Sequence, residues 1–289
     1  MKQLFISLIC LLLMCISCTE RVVFTHEKVT PEYAEIESKD DVHAFADSLI
    51  TPYIYTKVIS LRKLPVNEKK QKFIEMLLPS VLLAQHNLNQ KIKRVEHIEN
   101  WLTQHPNYIE SDSIFLFQLF EQYNCSEISE LKKRLKPHPA SIVLGQAALE
   151  SGWGSSRFFQ EGNNVFGIWS YNKEENRIKA LVGRDSTHIY VRKYSSIEES
   201  VDDYYQTIAR VRAYKEFRLE RSNTNDPSKL VPLLYRYSEI GEAYTKKLNS
   251  LIKNNKLTQY DNYTIDDKYL QKETIELAQL NKFPLNSIY

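Results

Sequence analysis

Apolar side chains recur at three- and four-residue spacing across residues 67–104: Phe73, Met76, Leu77, Val81 and Leu82, then Ile92, Val95, Ile98 and Trp101 between charged positions. That period predicts helix, with Pro79 expected to kink or divide it. Residues 114–123 and 126–135 read as two shorter helices before a break at Pro137 and Pro139. From Ser141 a further helix follows, with Val143, Ala147 and Ala148 on one side and Leu144 and Leu149 flanking. Its small residues Gly145, Ala147 and Ala148 would let another element approach closely, and Gly152 and Gly154 supply the left-handed angles that end helices.

Past residue 169 the period shortens. Residues 177–182 and 187–194 alternate like strands, and Gly183-Arg-Asp-Ser between them reads as a turn. Ser196 and Glu199 form a capping box before a helix whose stripe, Ile197, Val201, Tyr204, Ile208 and Val211, reads as core. Asp226 and Pro227 open another helix. Residues 19–60 lack a sustained period and read as a tether with one short helix near 42–50. Residues 261–289 read as a polar tail with one helix near 274–280.

Composition narrows the classes. The chain has 289 residues, 43% hydrophobic and 26% charged, ordinary for a globular protein with an adequate core. A formal net charge of +2 and the lack of a basic tract give no case for nucleic acid. Lys2 followed by the apolar run Leu4 to Ile16 reads as a signal-peptide core, so residues 1–17 stand outside the fold. The run ends Cys15-Ile16-Ser17-Cys18, which resembles a bacterial lipobox with Cys15 in place of the usual leucine. It implies lipidation of Cys18 and an exported protein, anchored in the bacterial cell envelope and facing the periplasm, with ordinary cleavage to a soluble secreted product as the plain alternative. After Cys18 only Cys125 remains, so no internal disulfide can form, and no Cys or His cluster suggests a metal or other cofactor.

The candidate chemistry lies in residues 137–169, PHPASIVLGQAALESGWGSSRFFQEGNNVFGIW. Glu150 falls in the last turn of a helix that looks buried. Desolvation and the negative helix end both disfavour its ionised form, as a group that protonates a leaving oxygen near neutral pH requires. A solvent-exposed glutamate, or one paired with Arg157, is the plain alternative. Trp153, Phe158, Phe159, Phe166 and Trp169 supply aromatic surface, on which sugar rings stack and from which cores are equally built.

ALESGWGSSRF followed by EGNNVFGIW resembles the glucosaminidase domain of glycoside hydrolase family seventy-three, and within it the bacterial Bax-type proteins. The resemblance implies a lysozyme-like, mainly helical α+β fold with a small β-hairpin lobe and an N-terminal helical extension. It implies cleavage of β-1,4 bonds next to N-acetylglucosamine in peptidoglycan glycan strands, with Glu150 as general acid. A second motif, Tyr235 to Leu248, resembles the family's closing element and would place Tyr237 and Tyr244 along the groove. Trp153, Asn164, Phe166 and Trp169 complete the expected substrate-binding set, although Asn163 and Asn164 could equally serve the turn backbone. The domain layout expected is signal peptide 1–17, tether 18–60, helical region 61–136, catalytic domain 137–260 and tail 261–289.

Glycoside hydrolysis usually employs two carboxyl groups. Glu174, Glu175 and Asp185 are the candidates for the second, with Asp185 carried forward, and a substrate acetamido group could act instead. Lytic transglycosylation and a non-catalytic, cell-wall-binding lipoprotein are the competing readings.

Overall fold

The computed structural model describes residues 19–105, 109–180 and 189–281. In chain order the elements are β1 (Thr19–Val29), β2 (Glu32–Glu35), β3 (Leu49–Ile50), β4 (Tyr53–Lys57), α1 (Val66–Gln104), α2 (Glu110–Tyr123), α3 (Ile128–Leu135), α4 (Ala140–Ser151) and α5 (Arg157–Gly162). There follow β5 (Arg177–Lys179), β6 (Tyr190–Arg192), α6 (Ile197–Arg210), α7 (Lys215–Asn223), α8 (Pro227–Leu230), α9 (Glu242–Asn254), β7 (Thr264–Ile265) and β8 (Leu270–Asn281). The architecture is mainly helical α+β, with strands in four separate pairs among the described residues.

Helix α1 is the spine. Every residue from Phe73 to Ala84 is buried, because FIEMLLPSVLLA carries apolar side chains all round and must be covered on every side. Its one carboxylate there, Glu75, sits 3.1 Å from Lys72. Of the two outcomes expected of Pro79, a kink or a division, the helix is not divided. Proline removes one backbone bond, and here the neighbouring turns are held by burial on all faces.

Helix α4 crosses this spine. Gly145 is where α9 meets it: a Cβ there would lie 2.8 Å from Leu248 Cδ1 and 2.9 Å from Ile252 Cγ1. Ser141 at its first turn donates from N and Oγ to Asp261, at 2.7 and 2.8 Å, so a carboxylate stands at the positive helix end. At the other end Gly152, Trp153 and Gly154 all have positive φ, at 58°, 58° and 71°. Two glycines take that conformation cheaply; Trp153 does not.

The expected hairpin forms, with Arg177 opposite Arg192 and Lys179 opposite Tyr190; its turn, residues 183–186, lies outside the described residues. Ser196 caps α6 by accepting from Glu199 N, while the Glu199 carboxylate accepts from Ser195 N and Oγ.

The two chain ends depart from expectation. Residues 19–60 are no loose tether with a helix near 42–50. They contain β1 to β4, and β2 pairs with β4 in parallel. Residues 274–280 are strand, not helix: β8 runs antiparallel to β1 from Val29↔Leu270 to Thr19↔Asn281, with a bulge between Val22 and Val23. Val22, Phe24 and Leu277 of this ribbon make a small second core with Ile109. Pairing across the whole chain leaves no local period to read.

Candidate active site

Glu150 occupies the last turn of α4. By surface area the residue is exposed, yet protein atoms gather closely enough around its carboxyl that desolvation raises its pKa, against a lowering hydrogen bond from Tyr244. The two observations fit one geometry: a carboxyl open to solvent on one side and walled on the others. The expected full shielding is therefore only partial. An ion pair with Arg157 is excluded, because that guanidinium holds Glu161 at 2.7 Å and the Lys179 carbonyl at 2.6 Å.

Three tyrosines form the wall. Tyr244, on the first turn of α9, is 5% exposed and stacks on Tyr237 at 5.4 Å between centroids. Tyr237 lies 6.2 Å from Tyr214. Burial and the nearby Glu150 charge push the Tyr244 and Tyr237 hydroxyls well above their usual range, and that of Tyr214 up to about 12. They remain neutral donors at any physiological pH. Beside Tyr214 and Tyr237 in sequence, Arg212, Ala213, Lys215, Glu216 and Arg236 line a cavity of about 520 Å³.

The other expected side chains divide. Phe166 is 4% exposed and stacks on Tyr204 at 4.2 Å, so it backs the tyrosine wall from within instead of facing solvent. Asn164 is 1% exposed and fully engaged: Nδ2 donates to the carbonyls of Ile168 and Arg192, and Oδ1 accepts from Ile168 N. It is a turn residue with nothing left for a substrate. Asn163, at φ 50°, donates to the carbonyls of Thr56 and Tyr194 and pins the hairpin lobe to β4. Trp153 turns toward α1, edge-on to Phe73 at 5.7 Å and under Lys70 Nζ at 5.3 Å. Trp169 is 43% exposed, 6.2 Å from the 82% exposed Tyr171, and bridges to Val191 of the lobe. These two rings form an open aromatic platform.

Cys18 and Asp185 lie outside the described residues. Glu175 is engaged with Arg192 at 3.5 Å, and Glu174 is exposed. Among the described residues no carboxylate appears among the groups that shift Glu150.

Sequence reasoning missed Gln146, whose Nε2 donates to Tyr244 Oη at 3.0 Å. The signal was present: residue 146 stands four before Glu150, on the same helix face. Tyr204 was read as core stripe, and its hydroxyl nevertheless bonds Gln146 Oε1 at 2.6 Å.

Residues 126–257 match the family described as mannosyl-glycoprotein endo-beta-N-acetylglucosaminidase. Protein bax of Escherichia coli (strain K12) is 28% identical over 131 residues, covering 43% of this chain and 46% of the relative. Exo-glucosaminidase LytG of Bacillus subtilis (strain 168) is 28% identical over 131 residues, covering 42% and 45%. The chain thus spans about half the length of these two relatives. The crystal structure of the catalytic domain of the autolysin Auto from Listeria monocytogenes is 26% identical and covers 58% of this chain and 88% of that one, with a TM-score of 0.37.

Proposed function

We propose, from the match of residues 126–257 to the glucosaminidase family, that the protein is a peptidoglycan hydrolase that cleaves β-1,4 glycosidic bonds of cell-wall glycan, with Glu150 as general acid. The observation that carries the reading is the single accessible carboxyl at the end of α4, its pKa raised by burial and faced by one hydroxyl donor. Protonated Glu150 gives its proton to the bridging oxygen as the bond to the anomeric carbon breaks. The Tyr244 hydroxyl stabilises the Glu150 carboxylate so formed, and water captures the cationic sugar, forming the new C–O bond and releasing a proton to solvent, from which Glu150 is reprotonated. Tyr237 and Tyr244 wall the acid, and Trp169, paired with Tyr171, offers a face to a neighbouring sugar ring. Asp185 remains the candidate second carboxyl.

Cell-wall hydrolysis places the protein outside the cytoplasm. The Cys15-Ile16-Ser17-Cys18 motif supports an envelope lipoprotein anchored through Cys18, which a Cys18→Ser variant that loses incorporation of labelled fatty acid would test.

Among the described residues no carboxylate shifts Glu150, and lytic transglycosylation, which needs no activated water, is the competing reading. Digestion of purified sacculi with wild type and Glu150→Gln decides both matters. Products ending in reducing N-acetylglucosamine, absent with the variant, are expected. Anhydro-muramyl ends would assign the transglycosylase, and equal digestion by the variant would remove Glu150 from the chemistry.

A further inference from the structure

The hydroxyl that serves Glu150 is the last member of a buried chain of polar groups. It starts at Arg221 on α7, which is 1% exposed. A guanidinium only donates. Its Nη1 lies 3.2 Å from His138 Nδ1, so that nitrogen must accept. Burial and the Arg221 charge lower the His138 pKa well below its usual value, and the ring is the neutral tautomer with its proton on Nε2. That proton points at Tyr204 Oη, 2.8 Å away.

Tyr204, having accepted one bond, gives its own proton to Gln146 Oε1 at 2.6 Å. The amide orientation is thereby forced, and Gln146 Nε2 donates to Tyr244 Oη at 3.0 Å. Tyr244 then has one proton left, and the Glu150 carboxyl is its acidic neighbour. Every member before Glu150 is buried: His138 at 2%, Tyr204 at 1%, Gln146 at 0% and Tyr244 at 5% exposure. The chain cannot run backwards, because Arg221 has no lone pair to accept with. Its far end is fixed as well, since Arg221 Nη2 donates to the carbonyls of Lys133 and Arg134 at 2.9 and 3.3 Å.

We propose that Arg221, His138, Tyr204 and Gln146 are positioning residues for the general acid, a one-way hydrogen-bond relay that aims the Tyr244 proton at Glu150. The proposal rests on the reading of Glu150 as that acid. Its benefit falls at the right moment: a donated proton stabilises a carboxylate more than a carboxylic acid, so the relay acts most strongly as Glu150 loses its proton to the substrate. Donors in a chain also polarise one another, which strengthens the terminal bond beyond that of an isolated tyrosine. A buried network that only held the core together would have no reason to end on the one accessible carboxyl of α4.

The test is a titration of Glu150 in the full chain by carboxyl carbon-13 NMR, together with the pH profile of cell-wall hydrolysis, for wild type, Tyr244→Phe, Tyr204→Phe and the double variant. Tyr244→Phe removes the bond that favours the carboxylate, so the Glu150 titration and the alkaline limb of activity move to higher pH. Tyr204→Phe is expected to move both in the same direction, by less, and to add nothing in the Tyr244→Phe background. If Tyr204→Phe leaves the titration in place, or shifts it equally in both backgrounds, the relay is wrong. Should Tyr204→Phe fail to fold, Gln146→Met, which keeps side-chain length and helix propensity, is read by the same criteria. Coupled titrations in a protein that digests no cell wall would uphold the relay and remove the hydrolase reading. An active enzyme killed by Glu150→Gln with an unmoved titration would do the reverse.

Discussion

Of the places among the described residues where burial pushes a carboxyl pKa upward, two are built for opposite ends. At the end of α4, Glu150 stands alone among tyrosines, open to solvent and served by one directed proton. On α6, Glu198 and Asp202 lie one turn apart and bond each other. Burial first, and the Asp202 charge after it, lifts Glu198 to about 7. Asp202 faces Lys91 of α1, beside a cavity of about 280 Å³ that His26, Glu27 and Tyr123 also line. The adjacent carboxylate, Asp203, is held by Arg192 at 2.7 and 2.8 Å. A raised pKa is common to both places, so it does not by itself mark chemistry. Access for a substrate and a neutral donor aimed at the acid distinguish α4.

The comparison breaks most sharply on Glu150→Gln. The amide cannot release a proton, and hydrolysis of cell wall is expected to fall about 1000-fold, about 4 kcal/mol of barrier, with little change in melting temperature. A variant that keeps a tenth of wild-type activity would put Glu150 on the same footing as Glu198.

Gly145→Ala comes next. The added methyl meets Leu248 and Ile252 of α9 at under 3 Å, and the overpacking should cost about 2 kcal/mol in denaturant unfolding. Activity should drop as well, because α9 also carries Tyr244 one turn before Leu248. Unchanged stability would show that the two helices have slack between them.

Trp169→Ala removes half of the exposed platform. We expect about a tenfold rise in KM for soluble glycan fragments with kcat nearly unchanged, about 1.4 kcal/mol of stacking. A kcat effect without a KM effect would move Trp169 from binding to chemistry.

Glu198→Gln should leave hydrolysis within a factor of two. Its folded pKa lies above the unfolded value, so the folded protein binds the extra proton. Stability is fully present below about pH 4.5 and declines as pH rises toward about 7. The glutamine variant escapes that decline and should unfold at the wild-type temperature at pH 4. At pH 8 it should gain about 1 kcal/mol, a figure already reduced for partial solvent screening. An equal gain at both pH values would assign the effect to packing.

Much of the site was legible because it is local. Helix α4, its glycine stop and the carboxyl four residues after Gln146 occupy one short run, and helical period alone sets which side chains share a face. The roles of Asn164 and Phe166 were ambiguous in the sequence for the same reason in reverse. Asparagine can meet a turn backbone or a sugar with the same atoms, and phenylalanine can stack on Tyr204 or on a ring of the substrate. Only the positions of Ile168, Arg192 and Tyr204 decide between those uses. Arg221 and His138 join the site from 83 residues apart, a distance over which no spacing carries a signal. Asp261, expected in a tail without chemistry, caps the very helix that presents Glu150.

The ribbon of β1 and β8 joins the earliest described strand to the latest. Thr19–Val29 therefore waits without its partner while all the intervening helices are made, and the ribbon closes only after Leu270–Asn281 has emerged. An early truncation would leave Val22 and Phe24 uncovered on a bare strand edge, the kind of surface that draws chains together. A product ended before Leu270 would lack the strand that seals β1.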